Sequence, residues 1–145
     1  MRVLDSLKGR AETEAARRNS RRVRIGKQRI MFVAFVIVTV VTVALNAIES
    51  VANFMKADWV KANSDAVGVP DSGLPFLGFV KGAAAVGLAV GLFWRPLGIA
   101  AAVGLVAFFV CAMVLHVRAR VFHNIAGPLL FLGLSVATLW LMLAV

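Results

Sequence analysis

The chain has 145 residues, 61% of them hydrophobic, with a mean hydropathy of +0.88 and a formal net charge of +9. Soluble domains of this length do not hold so much apolar sequence, whereas apolar runs of about 20 residues read as membrane spans. The length suits one compact unit with no room for a separate soluble catalytic domain, and the single cysteine, Cys111, excludes an intrachain disulfide framework.

Residues 1–29 form a polar, basic tail, and four apolar segments follow at about 30–51, 74–94, 97–117 and 125–145. At ~1.5 Å per residue each apolar segment is long enough to cross a hydrocarbon layer of ~30 Å as a helix. None shows the period-two alternation of a strand, and in lipid only helices or closed barrels satisfy the backbone. The expected fold class is therefore all-α: an antiparallel bundle of four transmembrane helices (30–145) carrying a basic N-terminal tail.

The tail contains "RRNSRRVRIGKQR", which ends just before the first span. Ten Lys and Arg residues precede Ile30, and Arg95 lies at the same end of the bundle, making eleven; Lys56, Lys61, Arg118 and Arg120 lie at the other end. Positive charge stays cytoplasmic, so both termini are expected there, in a cytoplasmic (inner) membrane. The basic stretch is too long, and the following apolar run too extended, for a cleaved signal peptide. Arg17, Arg18, Arg21, Arg22, Arg24, Lys27 and Arg29 then stand beside the inner leaflet, whose anionic lipid attracts each basic residue near the surface by about 1 kcal/mol. No aromatic residue interleaves them, which argues against nucleic acid as a partner.

Between the first two spans, "NFMKADWVKANSDAVGVPDSG" is the only long connection and reads as a loop. The second span carries Gly78 and Gly82, then Gly87 and Gly91, a small-xxx-small spacing that lets helices approach closely. "WRPLG" joins it to the third span almost without a loop, and Pro96 suits the first turn of a helix, where its missing N–H is not needed. These two helices should be antiparallel neighbours. Trp94 and Trp140 fall near the inner boundary, where indoles prefer to sit.

Polar residues inside the spans carry the functional question. Counted from the cytoplasmic start of each helix, Asn46 stands ~24 Å up, Glu49 ~28 Å, Lys81 ~20 Å, Cys111 ~21 Å and His116 ~28 Å. They come from three helices, share the outer half of the bilayer and, with Arg118 close by, make a candidate polar pocket. Lys81 is expected to pair with Glu49, since an unpaired charge facing lipid is costly and intramembrane ionisable residues favour function. The structural alternative is that the pair fixes helix register and His116 caps the third helix. Cys111 is expected to be a small buried hydrophobe. No metal site is expected, because His116, His123 and Glu49 follow no ligand spacing. Asn124 and Pro128 look like an entry turn with no chemistry of their own. No nucleotide, haem, hydrolase or kinase motif is present.

"FVKGAAAVGLAVGLFWRPLGIAAAVGLVAFFVCAMVLHVRA" resembles the central region of the DoxX-like family of small four-helix bacterial membrane proteins. The features that match are a lysine early in the second helix (Lys81), a Gly/Ala-rich face, the "RPL" turn, and a third helix ending in His116 with Arg118 nearby. Many relatives carry a glutamate about one turn after the lysine; here Ala84 or Ala85 stands there, and Glu49 is the only intramembrane acid. The resemblance implies a component of a membrane redox system, quinone- or oxidative-stress-linked, with a quinone as the cofactor it admits. Two other classes stay open: a non-catalytic accessory or assembly subunit of a larger membrane complex, alone or as a homo-oligomer, and a small transporter of lipophiles.

Overall fold

The computed structural model describes residues 1–145, apart from the side chain of Val3. It is helical throughout, and among the described residues there is no strand. The elements are α1 (Arg2–Phe54), α2 (Asp58–Ala66), a single 3-10 turn (Asp71–Gly73), α3 (Leu74–Gly91), α4 (Arg95–Arg118) and α5 (Ala126–Ala144). α1, α3, α4 and α5 are long and apolar enough to cross a membrane. Each packs on the next in the chain, and α5 closes the ring against α1.

α1 runs unbroken through the tail and the first span, 53 residues and therefore ~80 Å. Alanines, glutamates and arginines favour helix in its first half, and Asp5 suits the positive end of the helix dipole. No break in the backbone marks the end of the tail; packing does. Every described residue from Met1 to Ile30 is exposed except Gly26. From Phe35 onward a buried face repeats every three or four residues: Phe35, Thr39, Thr42, Asn46, Ser50 and Asn53.

That face is polar, whereas Ile37, Val40, Val41, Ile48 and Val51 point outward. The inversion fits lipid. Apolar side chains gain little by meeting each other there, so small and polar residues hold the interior. Thr42 and Thr138 share a hydrogen bond of 3.0 Å that ties α1 to α5, and the Ser50 hydroxyl donates to the Gly78 carbonyl at 2.7 Å, tying α1 to α3. At the opposite end Arg95 donates to the Leu143 carbonyl at 3.0 Å, placing a cation on the negative end of α5.

The four glycines of α3 divide between two partners. A Cβ on Gly78 would stand 3.0 Å from the Ser50 carbonyl oxygen, and one on Gly82 2.8 Å from the Ser50 hydroxyl, both on α1. A Cβ on Gly87 would stand 2.7 Å from that of Ala101, and one on Gly91 would collide with the Gly98 backbone, both on α4. The short link makes this register: α3 ends at Gly91, Trp94 is extended, and Pro96 sits in the first turn of α4.

The long connection is not a simple loop. Residues 58–66 form α2, with Val60 and Ser64 buried four apart on one face. The sequence reading missed it because nine residues are too few for a clear helical period. Lys61 and Asp71 pair at 3.1 Å across the following turn. The hydrogen bond and charge of Asp71 raise the Lys61 pKa, so the lysine's half of this exposed pair stays charged at neutral pH and is lost as pH climbs through the raised value. α1, α2 and α4 all end in Schellman turns, with Lys56 (φ 50°), Gly68 (φ 77°) and Arg120 (φ 57°) in the left-handed region. Only Gly68 adopts it without steric cost.

The close approach of α3 and α4 makes a testable contrast. Gly91→Ala should lower the midpoint of thermal unfolding in detergent markedly, with a cost of about 1–3 kcal/mol for overpacking. Gly104→Ala, whose Cβ would meet nothing within 4 Å, should leave it unchanged or raise it. Equal midpoints for the two variants would show that the α3–α4 contact does not set the packing.

Candidate functional site: a polar cavity under α2

A cavity of about 400 Å³ opens at the end of the bundle where α1 and α4 stop and α3 and α5 start. Its lining includes Glu49 and Asn53 from α1, Leu77 and Lys81 from α3, and Phe108, Phe109, Cys111, Ala112, Leu115 and His116 from α4. α5 adds Gly127, Pro128 and Phe131, and α2 adds Trp59, Val60, Asn63 and Ser64. α3 and α4 touch through glycine at Gly91 and Gly98 but stand on two sides of the cavity at Lys81 and Phe108.

Four of the six polar residues singled out from the sequence meet here: Glu49, Lys81, Cys111 and His116. The Lys81 ammonium donates to a Glu49 carboxylate oxygen, joining α3 to α1. Their side chains are 11% and 20% exposed, so the pair is largely out of solvent. The ammonium also lies 5.7 Å from the centre of the Phe108 ring, within the range of a cation–π contact. The acid comes from the first helix, 32 residues away in sequence, rather than from a position one turn after the lysine.

His116 is 3% exposed. Its Nδ1 lies 2.8 Å from the Ala112 carbonyl oxygen, and its Nε2 is buried without a partner. The ring does not cap α4 at a surface; it stands in the cavity wall. Cys111 departs from the expectation of a buried hydrophobe: it is an exposed free thiol on the same wall. The apolar average of α4 hides this, since which face of a uniformly apolar helix is covered depends on its neighbours.

Asn46 and Arg118 do not join the cavity. Asn46 is fully buried one turn further into the bundle and donates to the Thr42 carbonyl at 2.8 Å. Arg118 is exposed beside a shallow apolar groove formed with Val114, Val117 and Leu132. The basic residues Arg17, Arg18, Arg21, Arg22, Arg24, Lys27 and Arg29 are all exposed along the free half of α1, at the far end of the molecule. Among the described residues no three of His, Cys, Asp and Glu gather closely enough to hold a metal ion.

Several lining residues escaped the sequence reading. Asn53 was findable, since it continues the three-and-four spacing of the polar face of α1. Trp59, Asn63 and Ser64 were not, because the segment that carries them was not recognised as a helix. Asn124 and Pro128 line the cavity too, and the Asn124 amide donates to the Asn63 side-chain oxygen, linking α2 to the connection before α5.

The aromatic walls are ordered among themselves. Phe109 stacks on Phe131 at 5.2 Å and meets Phe108 edge-on at 5.1 Å. The cavity thus combines an apolar, aromatic body with a neutralised charge pair, one free imidazole nitrogen and one thiol. Such a site suits an uncharged amphiphile.

The Lys81–Glu49 pair is open to a double-mutant test. Lys81→Met leaves a carboxylate without its cation, a loss of about 3–5 kcal/mol for a buried pair, whereas replacing both partners can be close to neutral. Lys81→Met should lower the thermal midpoint in detergent, and adding Glu49→Gln should recover part of the loss. A parent-like midpoint for Lys81→Met, with no coupling to the second change, would mean that the pair contributes nothing.

No curated protein and no solved structure matches the chain. The sequence pattern that defines the DoxX-like family matches residues 37–138, more than half of the chain, and covers the bundle from the first span to the last. The match takes in both halves of the ion pair, all of α2 and most of α5, and the chain therefore belongs to the DoxX-like family of membrane proteins.

Proposed function

We propose that this protein is a component of a membrane redox system, quinone- or oxidative-stress-linked, in a bacterial cytoplasmic membrane, and that its cavity holds a lipophilic ligand. The bias of basic residues toward the end with Arg95 and the free half of α1 supports cytoplasmic termini. The cavity then opens in the outer leaflet. The observation that carries the proposal is the cavity itself. An ion pair withdrawn from solvent and a buried imidazole nitrogen without a partner are poor ways to stabilise a bundle. They make sense where a ligand completes them. A quinone is a fitting ligand for the aromatic walls, with the Lys81 ammonium as the donor to a carbonyl oxygen and His116 and Cys111 beside it.

The experiment is extraction of the protein purified in mild detergent, with the lipid extract analysed for quinone. The expected outcome is quinone retained in roughly stoichiometric amount by the parent and lost from the folded Lys81→Met, Glu49→Gln double variant. Quinone at the level of an unrelated membrane protein, or equal retention by the variant, overturns the proposal.

The free half of α1 favours a second reading, as an accessory or assembly subunit of a larger complex or of a homo-oligomer. No acid follows Glu14 before Ile30, and Arg17/Arg21 and Arg18/Arg22 are like-charge pairs four apart, which disfavour an isolated helix. A covering anionic surface relieves that repulsion. Along the helix Arg24, Lys27 and Arg29 stand within ~9 Å of Ile30, about one Debye length, in reach of an anionic inner leaflet. Arg17, Arg18, Arg21 and Arg22 stand ~12–20 Å out, better placed for an acidic protein partner than for headgroups. Removing residues 1–20 should leave the bundle folded, reduce its binding to anionic vesicles only modestly and abolish capture of a large partner by the full chain. Loss of all membrane-inserted protein on truncation would make the segment part of the fold instead.

A further inference from the structure

The hydrogen bonds of His116 bear on the chemistry of a ligand for this cavity. Its Nδ1 lies 2.8 Å from the Ala112 carbonyl oxygen. A carbonyl oxygen brings no proton, so Nδ1 carries the hydrogen and donates it. In the neutral ring this assigns Nε2 as a lone-pair acceptor. Nε2 is buried without a partner, on a residue that is only 3% exposed and lines the cavity. A buried acceptor left unmatched costs free energy that a suitable donor restores.

Lys81, also in the wall, has the opposite need. The Lys81 ammonium has three protons, and the Glu49 carboxylate is its oxygen partner. The ammonium lies 5.7 Å from the centre of the Phe108 ring, and both residues line the cavity. The buried acceptor left unmatched in the lining is therefore Nε2, and Lys81 has donors to spare, while the two charges cancel. An ether or a simple carbonyl compound accepts only and leaves Nε2 unmatched. A charged amine adds an uncompensated cation beside Lys81. A hydroxyl group both donates and accepts, with no charge. Phe108, Phe109 and Phe131 supply walls suited to a flat apolar body.

We propose that the cavity takes an uncharged amphiphile bearing a hydroxyl on a flat apolar body, and that this hydroxyl donates its proton to His116 Nε2. The proposal rests on the lipophile site described above and adds to it a requirement for a donor. In a redox pair of the same skeleton, it makes the hydroxyl form, rather than the carbonyl form, the one that the cavity holds more tightly.

Two probes of one skeleton test it: para-pentylphenol and its methyl ether, para-pentylanisole, titrated into the full chain in detergent at matched micellar mole fraction. Trp59 lines the cavity, so its fluorescence reports occupancy. The phenol should bind roughly tenfold more tightly than the ether, the worth of one buried hydrogen bond. His116→Phe should bind both probes alike. The nitrogen NMR resonance of His116 Nε2 in the parent protein should shift with the phenol and stay still with the ether, a readout that survives even if the variant does not fold. Equal binding of the two probes to the parent, or a His116 resonance indifferent to the phenol, overturns the donor requirement while leaving the lipophile site standing. If neither probe binds, the cavity holds water only, and both the site and the inference fall.

Discussion

The close backbone contact between Gly91 and Gly98 is the constraint on which the rest of the bundle depends. No side chain separates α3 from α4 at that point, and Met142 of α5 packs onto the same spot. In lipid the helices gain little from covering apolar surface, so such close van der Waals approach, together with a few interhelical hydrogen bonds, has to hold the fold. Gly78 and Gly82 repeat the arrangement against Ser50 on the other side of α3. α3 is thus gripped by α4 at its C-terminal end and by α1 at its N-terminal end. That division leaves room between α3 and α4 only beyond the glycine contact, and the cavity occupies that room.

The ion pair follows from the same arrangement. Because Gly78 and Gly82 draw α3 onto α1, Lys81 reaches Glu49, and the pair adds a charge-assisted bond to the Ser50–Gly78 hydrogen bond beside it. The polar face of α1 therefore serves two ends. Its inner part, from Thr39 to Asn46, is packed against α5 through Thr138. Its outer part, Glu49 and Asn53, faces the cavity. One helical stripe passes from structural glue to site lining within about two turns. α2 then completes the wall, with Asn63 tied to Asn124.

Much of this was legible in the sequence, and the reasons are particular. The four spans stand out because ~20 apolar residues have few other uses. The Pro96 turn and the short link by themselves require α3 and α4 to be neighbours. Lys81 and Glu49 stand out because a charge inside a span needs a partner and both lie in the half of the bilayer away from the tail, within reach of a long lysine stem. What escaped notice was short or averaged. α2 is nine residues long with mixed polarity. Cys111 sits in a run so uniformly apolar that no pattern distinguishes its covered face from its open one. Asn46 and Arg118 have the right height but the wrong side of their helices.

Four crossings of the membrane, the consecutive neighbours among the helices, and the gathering of the intramembrane ionisable residues in one half of the bilayer all follow from the residues alone. These are one-dimensional properties: run length, link length and position along a helix axis. Only the tertiary structure decided which of those residues face one another. Rotation of each helix about its axis is set by the glycine contacts and by the Ser50, Thr42 and Lys81 bonds, and those three bonds join residues 28, 96 and 32 positions apart. Nothing in a uniformly apolar span encodes that rotation locally, so the cavity, the free Nε2 of His116 and the exposed thiol of Cys111 exist only once the helices are packed.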